Sequence, residues 1–379
     1  MNLTVARSNR DVRRANRVAI LRRLRAHAGS SRVALAQALG LSKALVTQIV
    51  ADLIAEGWVR ERPGASVRAG TRAAGRPQIG LDLVGDARCG IGLLLVPTGT
   101  NHEVRVEAAL AGFDGRVDHL PGVSGHPRGN RGLISLVARA FEQGLEAVPA
   151  PSALRAVTLG FPGVVVDRQI VLAPRLGYTV GSSLVDDLER RLGVPVEGEN
   201  DAALGALSEL HDDPGRPPFA FLLIDAGVGA AIYRDGVVLG SRRASPRVGE
   251  VGHVSIPTAD GGLRELEAFL GVPGACIGTG ADLAALEAGV LAGRPEAMAV
   301  AARYATPLVT ILQMFSAWGC AQVVLQFPSD TLRDAILRAA QAKMSGSRLT
   351  ISVGRPAFGP RCLVTGAALD AVGDAGDAA

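Results

Sequence analysis

Apolar positions Val18, Ile20, Leu21 and Leu24 recur at helical spacing through a strongly basic N-terminal segment, which Gly29-Ser30-Ser31 brings to a stop. Ser31 is placed to cap a short helix from Arg32 to Leu39, ended by Gly40. Ser42 is placed to cap another running to about Glu56. In that last helix Leu45, Val46, Ile49, Val50 and Leu53 form one stripe, while Lys43, Ala44, Thr47, Gln48 and Ala51 share the opposite face. Two short helices joined by a tight Gly-containing turn make a helix-turn-helix. After Gly57, Trp58-Val59-Arg60 reads as a strand and the stretch from Arg62 to Arg72 as a basic, flexible wing. Residues 1–80 are thus expected to form a winged helix-turn-helix.

Beyond Gly75-Arg76-Pro77 the pattern changes. Alternation at Ile79, Leu81 and Leu83 predicts a first strand of a second unit covering 81–379. Apolar runs at 156–159, 194–196 and 222–232 predict further strands, the last broken by a glycine turn. Residues 281–318, rich in Ala and Leu at helical spacing, predict helices and a candidate dimerisation surface. With 48% hydrophobic residues, 47 glycines and only 9 Phe, 3 Tyr and 2 Trp, the chain fits an α/β fold with many tight turns. Arginines interrupt every apolar run in the first thirty residues, and no run of eighteen apolar residues occurs. The expectation is a soluble cytoplasmic protein without a membrane partner.

The net charge of +4 conceals an asymmetry. Residues 1–80 hold 15 Lys and Arg against 4 Asp and Glu, and the remainder holds 25 against 32. A basic head on an acidic body is the electrostatic footprint of a nucleic-acid module, although charge alone fits a solvated basic tail equally. Ser42, Lys43, Ala44, Thr47 and Gln48 offer short or hydrogen-bonding side chains suited to a major groove, with Arg62, Arg68 and Arg72 of the wing beside them. A small helical module for protein contacts is the alternative. Cys89, Cys276, Cys320 and Cys362 are widely spaced, with no disulfide framework or zinc signature, which favours a reducing compartment.

Several motifs of the body occur in a telling order: Gly160-Phe161-Pro162-Gly163, Ala173-Pro174-Arg175-Leu176-Gly177-Tyr178, Glu199-Asn200-Asp201, Gly249-Glu250-Val251-Gly252-His253 and Leu266-Glu267. Behind a winged helix ending in Gly-Arg-Pro, this series resembles the ROK family of sugar kinases and repressors, over nearly the whole chain. The resemblance implies a two-lobed, actin-like (ribonuclease H-like) sugar-kinase fold with its ligand between the lobes. It implies a sugar held by Asn200, Asp201, Glu250, His253 and Glu267, with Gly163 in the turn beside it. In the family's kinases the Asp is the general base, and an amide with carboxylates suits vicinal hydroxyls.

Departures from the family pattern separate sensor from enzyme. The first phosphate loop, Asp-x-Gly-Gly-Thr in the kinases, corresponds to the stretch from Cys89 to Leu95, with neither Asp nor Thr. The second has Ala226 and Val228 where Gly and Thr are usual, followed by Ala230-Ala231. The late loop reads Gln326-Phe327-Pro328 in place of Gly-Gly, and the second motif carries Arg175 where Asn is usual. The cysteines that give many members a zinc site are missing between His253 and Glu267, so no metal and no cofactor are expected. The resulting expectation is a non-enzymatic transcriptional regulator, a repressor by resemblance, acting on double-stranded DNA. It would be governed by a sugar and assembled as a homodimer, or a dimer of dimers, on a palindromic operator. A scaffold without a sugar and an ATP-dependent kinase stand as alternatives.

Overall fold

The computed structural model describes residues 9–67, 78–98, 102–257, 261–271, 282–344 and 351–373. At the head, α1 (Asn9–Ala26), α2 (Arg32–Leu39) and α3 (Lys43–Ala55) pack on a small sheet of β1 (Ser30–Ser31), β2 (Val59–Val67) and β3 (Gln78–Leu83), in the order β1-β3-β2. Both expected caps form: the Ser31 hydroxyl accepts from Ala34 N and the Ser42 hydroxyl from Leu45 N, each at 3.2 Å. Gly40 ends α2 in the left-handed region, at φ 64°.

The sequence reading is corrected at two points here. The alternation at Ile79, Leu81 and Leu83 belongs to the head. Strand β3 pairs with β2 and β1, and Leu81 and Leu83 join a core with Ile20, Leu21, Leu24, Leu35, Ile49 and Leu53. Arg62 likewise lies within β2, not in a flexible wing, because cross-strand pairing continues to Val67 past a register shift between Glu61 and Ser66.

The body has two lobes. The first lobe's sheet has the order β10-β7-β4-β5-β6, from β4 (Cys89–Thr98), β5 (Glu103–Gly112), β6 (Val117–Gly125), β7 (Leu154–Phe161) and β10 (Val196–Asn200); β8 (Val164–Val166) and β9 (Gln169–Leu172) form a separate hairpin. Strand alternation sorts its two faces. Ile91, Leu93 and Leu95 pack against α4 (Gly129–Leu145) and α5 (Leu184–Leu192), and Leu94, Ala109 and Ala111 against the last helix, α11 (Cys362–Val372).

In the second lobe, β11 (Phe219–Ile224), β12 (Val228–Arg234), β13 (Val237–Leu239), β16 (Gln322–Gln326) and β17 (Ser352–Gly354) form a sheet ordered β13-β12-β11-β16-β17. Phe219, Phe221 and Leu223 face α6 (Asp201–Asp212), whereas Ala220, Leu222 and Ile224 face α8 (Leu283–Leu291), α9 (Pro295–Ala317) and α10 (Asp330–Met344). A short hairpin of β14 (Ser255–Pro257) and β15 (Leu263–Glu265) precedes α7 (Glu267–Leu270). Among the described residues α9 alone is long and apolar enough to cross a membrane, yet Val300, Tyr304, Leu308, Ile311 and Phe315 are buried in this lobe's core.

Head and body are joined by one aromatic plug. Phe113, in the turn after β5, is fully buried within the head's core and lies 4.9 Å from the Trp58 ring, centroid to centroid. Arg25 of α1 donates to the Phe113 carbonyl at 2.9 and 3.1 Å and stacks on the ring, while Arg88 lies over Trp58. Phe113→Ala is expected to destabilise the protein by about 3–5 kcal/mol, measured by denaturant unfolding. A loss below about 1 kcal/mol would contradict the plug.

Candidate functional site

Between the lobes lies a concave cleft of about 110 Å³, lined by residues of both lobes. Its walls come from the end of β4 (Leu94 to Pro97), the turns holding Pro162, Gly163, Pro174 and Arg175, and the corner at Asn200 and Asp201. The turn from Asp225 to Gly229, together with Glu250, His253, Glu267 and Leu363, closes it. The structure therefore gathers all six sequence-nominated ligand residues, Gly163, Asn200, Asp201, Glu250, His253 and Glu267, into one wall set. Sequence reasoning missed Leu363, which α11 brings from far along the chain. It also gave Asp225 no role, although an acid directly after the all-apolar strand β11 was a usable signal.

Local chemistry fixes each group. Asn200 caps α6: its Oδ1 accepts from Ala203 N at 3.1 Å, and its Nδ2 donates to the Gly163 carbonyl at 2.9 Å. A β-carbon on Gly163 would lie 2.2 Å from the Leu172 carbonyl, so glycine is required for that turn to close. Asp201 accepts from Ala202 N at 2.8 Å through one oxygen. Burial pushes its carboxyl up to about 7, with Glu250 and Asp225 repelling it further. Burial also raises Asp225, against the pull of Arg175, and raises Glu250, against His253. His253 stands 3.7 Å from Glu250 and 3.2 Å from Glu265, and Glu267 accepts from Val228 N at 3.1 Å.

The Asn200 corner is braced across the lobes. Glu199 Oε1 accepts from Asn200 N and Arg242 N, both at 2.9 Å. The Arg242 guanidinium reaches Glu199 and Asp370 at 2.8 Å each. None of this network was legible in the sequence.

Gly90 and Gly92, in the stretch that corresponds to the first phosphate loop, serve packing. A β-carbon on Gly90 or Gly92 would lie 2.2 Å from backbone nitrogens of α11. What faces the cleft there is the run from Leu94 to Pro97. Phe327, from the late loop, is buried against Tyr304 in the second lobe's core.

In the head, Lys43, Ala44, Thr47 and Gln48 are exposed on one side of α3, and Val46, Ile49, Val50 and Leu53 are buried on the other. Ser42 is exposed, its hydroxyl engaged as the cap. Arg13 pairs with Asp52 and Arg17 with Glu56, which ties α1 to α3 and neutralises acids behind the exposed face. Arg62 forms a two-pronged pair with Asp82, at 2.6 and 2.9 Å, so its charge is already answered within the sheet. Arg68 and Arg72 lie outside the described residues.

The ROK family pattern matches residues 131–298, and a winged helix-turn-helix DNA-binding pattern matches residues 13–60. The body thus resembles the ROK family over part of its length, behind a head that matches a winged helix-turn-helix. Among curated relatives, a putative xylose repressor of Caldicellulosiruptor sp. (strain Rt8B.4) is 26% identical over 257 residues, 66% of this chain and 60% of the repressor. The match thus leaves two fifths of that relative's length unspanned. An N-acetyl-D-glucosamine kinase of Vibrio cholerae is 36% identical over 104 residues, 27% of this chain and 34% of the kinase. In fold, the chain is similar to a ROK family transcriptional regulator described as a homolog of the E. coli MLC protein. There the TM-score is 0.69 at 18% identity, covering 96% of this chain and 97% of that one. A ROK family glucokinase from Streptomyces griseus gives 0.59 at 18% identity, over 74% of this chain and 98% of the kinase.

Asp201 supplies a pH test. Its folded value stands above its unfolded one, so the folded chain holds the extra proton and loses stability as pH rises from about 4 to about 7. Asp201→Asn is expected to raise Tm at about pH 8 by roughly 2–6 °C and to lose that advantage near pH 4 in differential scanning calorimetry. Comparing variant with parent isolates Asp201 from Glu199, which burial likewise pushes up to about 7. A variant less stable than the parent at the higher pH would contradict this.

Proposed function

We propose that this protein is a cytoplasmic, sugar-responsive repressor: α3 reads DNA, the cleft binds a sugar, and the body transfers no phosphate. The observation that carries the reading is the uneven state of the cleft. Its hydroxyl-binding side holds Asn200, Asp201, Glu250, His253 and Glu267 together, while the stretch where phosphates would enter is Leu, Leu, Val and Pro. Apolar side chains there offer no donors to a triphosphate. A division just past Leu83, where β3 ends, separates the reading head from the sensing body. The xylose repressor relatives support the repressor assignment.

The route from cleft to head follows α6. Its first turn carries Asn200 and Asp201 at the cleft, and twelve residues, about 18 Å of helix, bring its last turn to the head junction. There the His211 ring hydrogen-bonds the Gly115 backbone, beside Arg25, and burial with the Arg25 charge lowers its pKa to about 4. A neutral His211 thus packs where head and both lobes meet. A sugar that favours one lobe arrangement shifts the head by the difference of its affinities for the two. A homodimer on a palindromic operator fits this scheme, and exposed Leu291 and Met298 on α8 and α9 support a surface for it.

An operator selected from a random DNA pool tests the reading. Lys43→Ala with Gln48→Ala is expected to weaken its binding about tenfold or more in a mobility-shift titration, with unfolding unchanged. Equal affinity in the double variant would overturn the choice of α3.

A further inference from the structure

The charged groups of the cleft are unequally provided for. Asp201 has the Ala202 amide, Asp225 the Ala226 amide, Glu267 the Val228 amide, and Glu250 has His253. Arg175 has no such provision. It lines the cleft half-buried, and among the described residues its guanidinium has no hydrogen-bond or ion-pair partner within 4 Å. Asp225 feels its charge across the cleft without meeting it. A half-buried guanidinium left without an acceptor costs solvation free energy that a bound group can return.

We infer that Arg175 receives an anionic group of the ligand, so that the effector is an acidic sugar, a sugar carboxylate or sugar phosphate, and not a neutral one. The inference rests on the sugar reading of the same cleft and adds a charge to it. Two features favour an anion over another hydroxyl. A guanidinium offers a fork of donors that matches the two oxygens of a carboxylate or phosphate, which a single hydroxyl cannot fill. The acids of the cleft, by contrast, already hold protein donors and suit the hydroxyls of the ring. Burial also raises Asp201, Asp225 and Glu250, which mutes the negative charge an anion would meet.

The test is calorimetry on the full chain at neutral pH with glucose, galactose, mannose, xylose and N-acetylglucosamine. Each is paired with its terminal phosphate and, where one exists, its uronic acid. At least one acidic member is expected to bind about tenfold or more tighter than its neutral parent. The phosphate and carboxylate arms tell the two sources apart. In Arg175→Ala, with unfolding temperature unchanged, that preference should shrink to within about twofold while neutral binding holds. Neutral sugars binding as tightly as their acids would overturn the inference and leave the sugar reading standing. So would an Arg175→Ala variant weakened equally for both, which would mark Arg175 as a latch onto Asp225. Silence across the whole panel would overturn both.

Discussion

A β-carbon on Gly366 would lie 2.0 Å from the Leu204 carbonyl, and at this contact α11 of the first lobe rests directly on α6 of the second. Only glycine permits that approach, and the same economy of side chains recurs where Gly90 and Gly92 admit the backbone of α11 to strand β4. The two lobes are therefore hinged on a pair of helices packed backbone to backbone. Both helices run between the same two places. Leu363 near the start of α11 and Asp201 at the start of α6 line the cleft, whereas Gly373 beyond α11 accepts from Arg25 and His211 near the end of α6 meets the Gly115 turn. Close-packed helices shift as units more readily than they deform. A change in lobe angle at the cleft thus has a direct path to the head.

What was legible in the sequence was local. Caps at Ser31 and Ser42 and the two faces of α3 follow from spacing within one helix, and the structure places them as read. The convergence of Asn200, Glu250, His253 and Glu267 was legible only through family order, since Asn200, the Glu250–His253 turn and Glu267 lie on separate elements. Long-range pairing defeated the rest. Strand β3 alternates like any half-buried strand, and nothing in its residues says that its partner is β2 and not β4. Gly90 and Gly92 sit where a phosphate loop belongs, yet their purpose is set by a helix nearly three hundred residues away. The bracing of Glu199 by Arg242 and Asp370 joins three distant segments by charge alone. Arg175 was visible as a departure from pattern, but its want of a partner is a property of the folded cleft.

The two sides of the cleft differ in chemistry. Polar groups gather around Asp201, while apolar residues from Leu94 to Pro97 line the opposite stretch. On the proposed reading, ligand binding acts on the placement of the head. The most direct measurement of that coupling uses the two tryptophans. Trp58 packs against Phe113 at the junction, so Trp318→Phe leaves it as the single reporter. The variant is titrated with whichever sugar saturates the cleft in calorimetry. Trp58 emission is expected to shift with the same midpoint as cleft occupancy; saturation of the cleft with no change at Trp58 would contradict the coupling on which the account stands.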